Sequence, residues 1–433
     1  VSLLAEARGH KAIPTVLTMQ DLRSPALVRM VSDELDDLIQ KTLSPEQAPP
    51  FELDLYFGRT PDPRYERLAA SLFRQFTAPF LRAVFVRPQQ WELHRVSAVA
   101  ASAIPEEHRA FAFDSAQSFF ARKLPTSRPR RPSRFDLAIL HEPQDPTRPS
   151  DSSAIQRFVA AAEGLGVGAE VIGREDGGRL LEFDALFIRA TTAVNHYTYR
   201  FSRRAAAEGL VVIDDPVSIL RCTNKVYLAE MLARHNLPAP KTLIVHRDDR
   251  SRVAEVIGFP CVLKQPDSSS SLGVFKADDP RALEARLERL FDVSDLVVAQ
   301  EFVPTEYDWR IGVLDRRPLY AAKYFMARHH WQIIHHDAPT ERSRYGRWEV
   351  VPVEEVPKGG VEVALKAANL MGDGLYGVDL KQVDGRWLVI EVNDNPTIEH
   401  GVEDLVLKDD LYRRIVATFV RRLEAMIERV GPR

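Results

Sequence analysis

Three oxygen-bearing side chains near the end of the chain have the types and the spacing of a metal site. Asp379 follows Gly377, and Glu391 and Asn393 lie two residues apart in the next predicted strand. Residues two apart in a strand project to the same face, so the carboxylate of Glu391 and the carboxamide of Asn393 point the same way. Hard divalent cations such as Mg²⁺ or Mn²⁺ take such oxygen ligands, usually together with phosphates. The pattern therefore predicts a divalent-metal site.

The turn between the two strands determines whether Asp379 can share that face. A two-residue loop at Asp384-Gly385 would place Asp379 opposite Ile390 and on the wrong face. A three-residue loop over residues 383–385, with Gly385 left-handed, would place Asp379 opposite Val389 and beside the other two ligands. The metal interpretation therefore predicts a bulged turn of odd length, and the alternative is an edge hairpin with solvated acids. The alternation also predicts a buried stripe of Leu388, Ile390 and Val392.

A loop of small residues follows a predicted strand that ends in lysine. Such a loop between two strands can fold over phosphates, because it offers backbone N–H groups and hydroxyls. The sequence contains no Walker A loop and no Gly-x-Gly-x-x-Gly motif, and a serine run alone is typical of a flexible turn. The candidate phosphate contacts are Lys264, Ser268, Ser269, Ser270, Ser271 and Gly273.

Two further segments have the residue types of a nucleotide site. An adenine ring needs apolar faces and backbone hydrogen bonds at its edge, and the exit of the apolar strand at residues 296–304 offers both. Asp308 and Arg310 share one face of the following strand, and an arginine near a metal can stabilise the charge of a transferred phosphoryl group. The candidate adenine contacts are Gln300, Glu301, Phe302 and Val303.

In chain order these segments resemble the ATP-grasp fold, and the motifs at residues 377–379 and 391–393 are among its most diagnostic. Within that family the chain resembles RimK-like amino-acid ligases over about residues 134–430, including residues 187–189 and 224–225. Residues 1–121 resemble the accessory domain of a RimK-like subfamily. The implied fold class is α/β (α+β), with an ATP-grasp fold preceded by a small α/β pre-ATP-grasp domain and a mostly helical N-terminal domain.

The resemblance also implies roles for individual residues. The serine loop would close over ATP phosphates, and Asp308 would belong to the nucleotide site. Arg310 would contact the transferred phosphoryl group or the acyl-phosphate. The implied phosphate contacts are Lys225 and Lys264, the implied adenine neighbours are Glu301 and Val303, and the implied Mg²⁺ ligands are Asp379, Glu391 and Asn393.

The implied chemistry is activation of a carboxylate by the γ-phosphate of ATP, followed by attack of an amine on the acyl-phosphate. The protein would contribute positioning and neutralisation of charge. The implied partners are ATP, an amino acid, with glutamate as the candidate, and a protein, peptide or small carboxylate acceptor. Whether the chain forms a homo-oligomer stays open.

The chain departs from RimK ligases between the Asp-x-Arg strand and the Gly-Val-Asp strand. RimK ligases carry a basic loop with Asn, Arg and Gly there, whereas this chain has a different sequence at residues 323–336, so the acceptor stays open. The four histidines at positions 329, 330, 335 and 336 lack a cysteine or acid at zinc-ligand spacing. The candidate substrate contacts are Lys323, Arg328 and His330, together with Arg189 after an earlier strand.

Composition excludes several classes of protein. The 433 residues are 45% hydrophobic and 27% charged, with a net charge of −3, so the chain has no general attraction to nucleic acid or membrane. The two cysteines lack metal-ligand spacing, which indicates a reducing, cytoplasmic setting. The sequence shows no membrane-spanning run and no signal-peptide pattern, although a start at Val1 leaves the true N-terminus open.

Periodicity and composition divide the chain into four segments. Residues 1–121 form an accessory domain of mostly helical pattern, and residues 122–134 form a basic, proline-rich linker. Residues 135–222 alternate strands with helices, as in a small α/β layer with a mostly parallel sheet. Residues 223–433 carry the ATP-grasp motifs.

Two alternatives accompany the hypothesis of an ATP- and Mg²⁺-dependent carboxylate–amine ligase. Within the same class, the product would be a small free peptide or a metabolite amide. In another class, the chain would be a nucleotide-binding regulatory or scaffold protein whose basic linker contacts RNA or the ribosome. Replacement of Glu391 discriminates between the classes, because a ligase loses turnover and a scaffold keeps its partner.

Overall fold

The computed structural model describes residues 2–8, 13–46, 48–121, 133–267, 273–335, 338, 340 and 344–430. The chain divides into two compact units, Val1–Pro132 with Ile172–Glu182, and Ser133–Val171 with Phe183–Arg433. Only the last two positions of the predicted linker over residues 122–134 lie within the described residues. In the described part, no helix has the length and apolar character needed to cross a membrane.

The first unit combines helices with an antiparallel sheet. Its helices are α1 (Ser2–Ala7), α2 (Val16–Asp21), α3 (Pro25–Glu34), α4 (Asp36–Leu43), α5 (Glu66–Gln75) and α6 (Arg109–Ala121). Its strands are β1 (Phe51–Tyr56), β2 (Phe80–Val86) and β3 (Glu92–Ala98), in the order β1-β2-β3. Leu53 and Phe85 from the sheet share a core with Leu68 and Leu72 from α5. Helices predominate, as the sequence predicts, and the sheet is a feature that helical spacing does not indicate.

The second unit begins with an α/β layer, which confirms the predicted arrangement. Its strands are β4 (Phe135–His141), β5 (Val167–Ile172), β6 (Ala185–Arg189) and β7 (Val211–Ile213), and its helices are α7 (Ser152–Gly164) and α8 (Tyr197–Ala207). The order is β5-β4-β6-β7, with β4 parallel to β6 and β6 parallel to β7. The chain passes from β4 to β5 on one side and then to β6 on the other, so the order reverses between β4 and β6.

Two antiparallel sheets follow in the same unit. The helices around them are α9 (Pro216–Thr223), α10 (Lys225–Arg234), α11 (Arg252–Val256), α12 (Pro280–Phe291), α13 (Gly360–Met371) and α14 (Asp409–Val430). The first sheet has the order β10-β9-β11-β8 and contains β8 (Thr242–His246), β9 (Cys261–Lys264), β10 (Val274–Ala277) and β11 (Leu296–Glu301). The second has the order β14-β13-β12-β15-β16 and contains β12 (Tyr307–Leu314), β13 (Arg317–Phe325), β14 (Trp348–Val351), β15 (Leu375–Val383) and β16 (Arg386–Asp394).

Each of these sheets buries one face and leaves polar residues on the other. In the five-stranded sheet, Trp309, Val378 and Val392 pack with residues of α13 in one apolar core. In the four-stranded sheet, Leu263 and Val297 pack with residues of α12. Because side chains alternate along a strand, the polar residues between these positions lie on the opposite faces.

Candidate active site

The turn between β15 and β16 has two residues, so the predicted three-residue loop is wrong. Val383 pairs directly with Arg386. Asp384 has a φ of 51° and Gly385 a φ of 76°, both left-handed. Two left-handed residues form the tight hairpin turn whose twist matches that of the flanking strands.

A β-bulge places Asp379 on the face that carries Glu391, although the two-residue turn alone would place Asp379 on the opposite face. Leu380 pairs with Val389 but Asp379 pairs with Glu391, so Ile390 is the extra residue on β16. The bulge places Asp379 on the same face as Glu391. It also changes the core face, because Trp387, Val389 and Val392 are buried whereas Leu388 and Ile390 are only half-buried. The predicted buried stripe is therefore right for Val392 alone.

The three predicted metal ligands come together on this face. Asn393 donates from Nδ2 to Asp379 Oδ2 over 3.1 Å, and Glu391 is the direct cross-strand neighbour of Asp379. Arg310 donates to Asp379 from Nε over 2.7 Å and from Nη2 over 2.9 Å. Lys225 Nζ lies 2.9 Å from Glu391 Oε1. Both carboxylates are thus paired with cations.

Burial and neighbouring charges move the pKa values of the two carboxyl groups in opposite directions. Burial raises the pKa of Asp379, and the guanidinium of Arg310 only partly offsets this effect. Burial also acts to raise the pKa of Glu391, but the ammonium groups of Lys225 and Lys264 outweigh it, so this pKa is lowered. Glu391 is therefore ionised at neutral pH and can bind a cation.

The donor set fits a hard divalent cation. Two carboxylates and one carboxamide are the oxygen ligands that Mg²⁺ accepts. Within the described ranges, no three His, Cys, Asp or Glu side chains group as a metal site, so the predicted metal site depends on the carboxamide of Asn393 as its third oxygen donor. Since Asn393 contacts Asp379 through its NH₂ group, its carbonyl oxygen is the atom suited to a metal.

Two lysines border the space between the two antiparallel sheets, which is called the cleft below. Lys225 begins α10, where Asn224 Oδ1 caps the helix by accepting from the Tyr227 N–H over 2.8 Å. Lys264 Nζ donates to Gln300 Oε1 over 2.8 Å. The pKa of Lys264 is lowered to about 8, mainly by burial and also by the nearby charge of Lys225, against the opposing effect of Glu391.

A cavity of about 470 Å³ lies between the two sheets. Its volume is in the range of small-molecule sites. It combines apolar walls with two lysines and one amide, together with Glu230 and Thr242. Cationic groups in a largely apolar cavity suit a nucleotide. The residues that line it include Lys225, Leu228, Leu232, Ile244, Lys264, Val298, Gln300 and Ile390.

The predicted adenine residues are divided between several environments. Gln300 lines the cavity and donates from Nε2 to Thr242 Oγ1 over 2.9 Å. The backbone N–H of Glu301 donates to the Lys241 carbonyl over 2.9 Å, and Val303 is buried. Phe302 lines a second cavity instead. Only Gln300 of the four therefore contributes its side chain to the cavity between the sheets.

Lys381 is a cleft residue that sequence reasoning missed. Its Nζ lies 2.5 Å from Asp308 Oδ1 and 2.6 Å from Thr305 Oγ1. The sequence contains a signal for it, because Lys381 follows Asp379 by two positions and must share its strand face. Asp308 and Arg310 share a face as predicted, and Lys381 holds the first of them.

The predicted phosphate loop is only partly described. Ser268, Ser269, Ser270 and Ser271 lie outside the described residues. At the end of this loop Gly273 is left-handed, with a φ of 68°, and its carbonyl accepts from the Gln265 N–H over 2.9 Å. The Pro266 carbonyl accepts from the backbone N–H of Lys225 over 2.9 Å. The start of the loop is thus tied to the start of α10.

The candidate substrate residues between β13 and β14 separate into two places. Lys323 Nζ lies over the rings of Tyr307 and Trp309, at 5.5 and 5.2 Å, and 3.3 Å from Glu349 Oε1. Arg328 and His330 instead line the second cavity, of about 640 Å³. The structure therefore brings Arg328 and His330 together and places Lys323 elsewhere. The residues that accompany them in this cavity include Phe302, His329, Trp331, Tyr345 and Arg347.

Arg189 is fully buried, which does not support its predicted contact with substrate. Nη1 donates to Asn395 Oδ1 over 2.6 Å, and Nη2 donates to the carbonyls of Pro149 and Pro396 over 2.7 and 2.8 Å. Nε donates to Ser150 Oγ over 3.0 Å. Arg189 therefore joins the end of β6 to the loop that follows β16.

Comparison with protein families agrees with this geometry. Residues 1–115 match the RimK-like ATP-grasp N-terminal domain, and residues 222–418 match the RimK-like ATP-grasp domain. The chain belongs to the RimK-like ATP-grasp family. As an ATP-grasp ligase it joins a carboxylate to an amine and releases ADP.

Individual relatives are similar over about half of the chain. The probable α-L-glutamate ligase of Teredinibacter turnerae is 27% identical over 238 residues, which cover 54% of this chain and 76% of the relative. The ribosomal protein bS6–L-glutamate ligase of Escherichia coli O7:K1 is 28% identical over 229 residues, with coverages of 52% and 73%. The D-alanine–D-alanine ligase of Bacillus anthracis complexed with ATP has a TM-score of 0.51 at 16% identity, with coverages of 69% and 100%, and shows likeness of fold.

Proposed function

We propose that this RimK-like ligase uses ATP and Mg²⁺ to add an amino acid, glutamate, to the carboxylate of a protein or peptide. The observation that carries the proposal is the convergence of Asp379, Glu391 and Asn393 beside a cavity that contains two lysines. The names of the glutamate-ligase relatives support the choice of glutamate.

The residues of the cleft divide the work of phosphoryl transfer. Lys225 and Lys264 would bind phosphate oxygens of ATP. The ammonium group of Lys225, which pairs with Glu391 in this structure, would then pair with a phosphate oxygen instead. Bound Mg²⁺ would supply neutralisation of phosphate charge between Asp379, Glu391 and Asn393. Transfer of the γ-phosphoryl group to the acceptor carboxylate then forms the acyl-phosphate and releases ADP.

Arg310 is the residue best placed to stabilise the transferred group. Asp379 holds its guanidinium through two hydrogen bonds, and Nη1 donates to Thr397 Oγ1 over 3.2 Å. A guanidinium fixed in this way costs little to reorganise when negative charge develops. The amine then attacks the acyl carbon, a C–N bond forms, and the C–O bond to phosphate breaks.

The acceptor carboxylate needs a cationic contact outside the nucleotide cavity. Arg328 and His330 are candidates because they share a cavity with Arg347. Lys323 stays a weaker candidate, since Glu349 already pairs with its ammonium group.

Release of ADP in the presence of each of the twenty L-amino acids, with and without a protein or peptide acceptor, tests this function. We expect release that depends on an amino acid, and a kcat at least about 100-fold lower in E391Q, because the metal site loses a charge. E288Q, at an exposed position on α12, is the matched control and keeps the wild-type rate. ATP turnover that does not depend on any amino acid would contradict the proposal.

A C-terminal mass shift of the acceptor protein separates a protein acceptor from a small one.

A further inference from the structure

A tyrosine on the cleft side of the five-stranded sheet contacts the guanidinium of Arg310. On β13, Tyr324 lies directly opposite Asp308 of β12. Directly opposed residues project to the same face of a sheet, so the ring of Tyr324 lies on the face that carries Arg310 and its cross-strand neighbour Asp379. The guanidinium carbon of Arg310 is 5.1 Å from the centroid of this ring, which is a cation–π contact.

Two paired glycines make room for the stem of Arg310 on this face. Gly312 of β12 pairs directly with Gly377 of β15. A Cβ at Gly377 would lie 3.3 Å from Cδ of Arg310, and a Cβ at Gly312 would lie 2.2 Å from the ring of Tyr320. The stem of Arg310 is therefore packed against the backbone of the sheet, and contacts at the end of the side chain orient the guanidinium.

A buried carboxylate holds Tyr324 in place. Glu403 is 1% exposed, and its Oε1 accepts from the hydroxyl of Tyr324. Its Oε2 accepts from the backbone N–H of Glu399 over 2.8 Å. Both oxygens of this buried carboxylate thus have donors, as buried polar groups require. The ring of Tyr324 is therefore tied to the loop that follows β16.

The same loop supplies another contact of Arg310. Thr397 Oγ1 accepts from Nη1 of Arg310 over 3.2 Å. Two other hydrogen bonds of the guanidinium go to Asp379, which is also a proposed metal ligand. Because Asp379 has both tasks, the ring of Tyr324 and the hydroxyl of Thr397 are the contacts that fix Arg310 independently of the metal ligands, within the part of the chain that the structure describes.

We propose that Tyr324 and Glu403 are a positioning pair for phosphoryl transfer, in which Glu403 fixes the ring of Tyr324 and the ring fixes the guanidinium of Arg310. The proposal rests on the proposed function, in which Arg310 stabilises the transferred phosphoryl group. A guanidinium that is held in advance needs little reorganisation when negative charge develops. Since the pair acts on the transition state, its loss lowers kcat and leaves the KM values for ATP and the amino acid unchanged.

Two substitutions of Tyr324 separate the ring from the hydroxyl. Y324F keeps the ring but leaves Glu403 without one donor, and Y324L removes the ring as well. We expect kcat for amino-acid-dependent ADP release to fall about 3- to 10-fold in Y324F and about 10- to 30-fold in Y324L. The KM values for ATP and the amino acid stay within about threefold of wild type in both variants.

Two substitutions of Glu403 test the other member of the pair. In E403Q the amide oxygen can accept from the Glu399 N–H while the NH₂ group donates to the hydroxyl oxygen of Tyr324, so the connection is kept without the charge. E403L removes the connection. We expect E403Q to keep kcat within about threefold of wild type and E403L to lower it about as much as Y324F does.

The first unit contains a matched control. The hydroxyl of Tyr65 donates to Oε1 of Glu46, and the guanidinium carbon of Arg64 lies 5.0 Å from the centroid of the Tyr65 ring. Y65F therefore removes the same kind of hydrogen bond beside the same kind of arginine, in a unit that contains none of the cleft residues. We expect Y65F to leave kcat unchanged. Thermal unfolding of every variant shows that the rates are measured on folded protein.

A mimic of the transferred group tests the role of Arg310 without turnover. ADP with Mg²⁺ and aluminium fluoride resembles the phosphoryl group during transfer, so we expect Y324F to weaken binding of this combination about 3- to 10-fold. Binding of ADP with Mg²⁺ alone stays unchanged. In R310Q, the further substitution Y324F has no additional effect on binding of the mimic, because the pair acts through the guanidinium.

The outcomes separate this inference from the proposed function. Amino-acid-dependent ADP release that Y324F and Y324L leave unchanged overturns the inference and keeps the function. E403L with the wild-type kcat, an equal loss in Y65F, or an undiminished effect of Y324F in R310Q also overturns the inference. Wild-type protein without any amino-acid-dependent release overturns the proposed function, and binding of the mimic still tests the positioning pair.

Discussion

At the scale of single residues, the cleft is a set of charges held by opposite charges. The pairs are Asp379 with Arg310, Glu391 with Lys225, and Asp308 with Lys381. Lys264 differs, because its ammonium group contacts the neutral amide oxygen of Gln300 and burial lowers its pKa to about 8. An anionic ligand would supply the negatively charged hydrogen-bond partner that Gln300 does not provide to Lys264.

This difference predicts a pH dependence of nucleotide binding. Binding of ATP should favour the protonated form of Lys264, so its pKa rises in the complex. Affinity is then constant below pH 8 and falls as pH rises above about 8, by up to about tenfold per unit, since each binding event takes up one proton. Equilibrium binding of a non-hydrolysable ATP analogue between pH 6.5 and about 9.5 measures the slope.

Two variants identify the group responsible for that slope. K264R stays charged over the whole range, so its affinity is expected to be flat with pH. K264Q binds more weakly and is also flat, because no group with the lowered pKa remains. If K264Q keeps the wild-type slope, another group takes up the proton and the assignment to Lys264 is wrong.

At the scale of elements, the β15–β16 hairpin separates two tasks. The two-residue turn at Asp384-Gly385 sets the initial register, and the bulge at Ile390 then decides which face carries Glu391. The same bulge changes which residues of β16 enter the core. Stability of the turn and placement of the ligands are therefore separable properties of one hairpin.

This separation predicts that strain in the turn affects stability and not catalysis. Gly385 has a φ of 76°, and a Cβ there would meet no atom within 4 Å, so G385A introduces backbone strain without a clash. We expect G385A to lower the free energy of unfolding by about 1 kcal/mol while kcat stays unchanged. Urea unfolding and ADP release measure the two quantities.

A second glycine provides the matched control. A Cβ at Gly164, the last residue of α7, also meets nothing within 4 Å, and its φ is not left-handed. G164A should therefore be neutral or stabilise the protein by a few tenths of a kcal/mol, up to about 1. Equal destabilisation by both substitutions would contradict the assignment of strain to the turn.

At the scale of the second unit, one buried guanidinium connects the α/β layer to the catalytic hairpin. Arg189 contacts Asn395 and Pro396 on one side and Pro149 and Ser150 on the other. Asn395 in turn donates from Nδ2 to the Ala190 carbonyl over 2.7 Å. The loop after β16 therefore depends on the end of β6 for its position.

Removal of this guanidinium is expected to affect both stability and turnover. R189L leaves several buried acceptors without a donor, so we expect the free energy of unfolding to fall on the order of 3 kcal/mol. The amino-acid-dependent rate should fall as well at temperatures where the variant is still folded, because Thr397 and Arg310 lose their support. Chemical unfolding together with ADP release tests this, with R281L on the surface of α12 as the control. An R189L variant as stable as wild type would contradict the role assigned to Arg189.

Local patterns predict much of the second unit and the chemistry of its cleft. The α/β layer, the strand Cys261–Lys264, and the shared face of Asp308 and Arg310 all follow from alternation and apolar runs. These properties depend on neighbours within a few residues, so composition and spacing contain them. The same local patterns also predict Asp379, Glu391 and Asn393 as oxygen ligands of a metal ion.

The remaining features depend on contacts between residues far apart in sequence. Spacing predicts a loop of three residues if Asp379 is to share the face of Glu391. The structure has a loop of two residues and a β-bulge instead, because pairing along the whole strand determines the register. Arg189 follows a strand where ligands bind, yet it is buried by acceptors about 206 residues away along the chain. The sequence by itself therefore determined the kinds of groups in the cleft. Only the tertiary structure decided which of them meet, because burial and register arise from long-range packing.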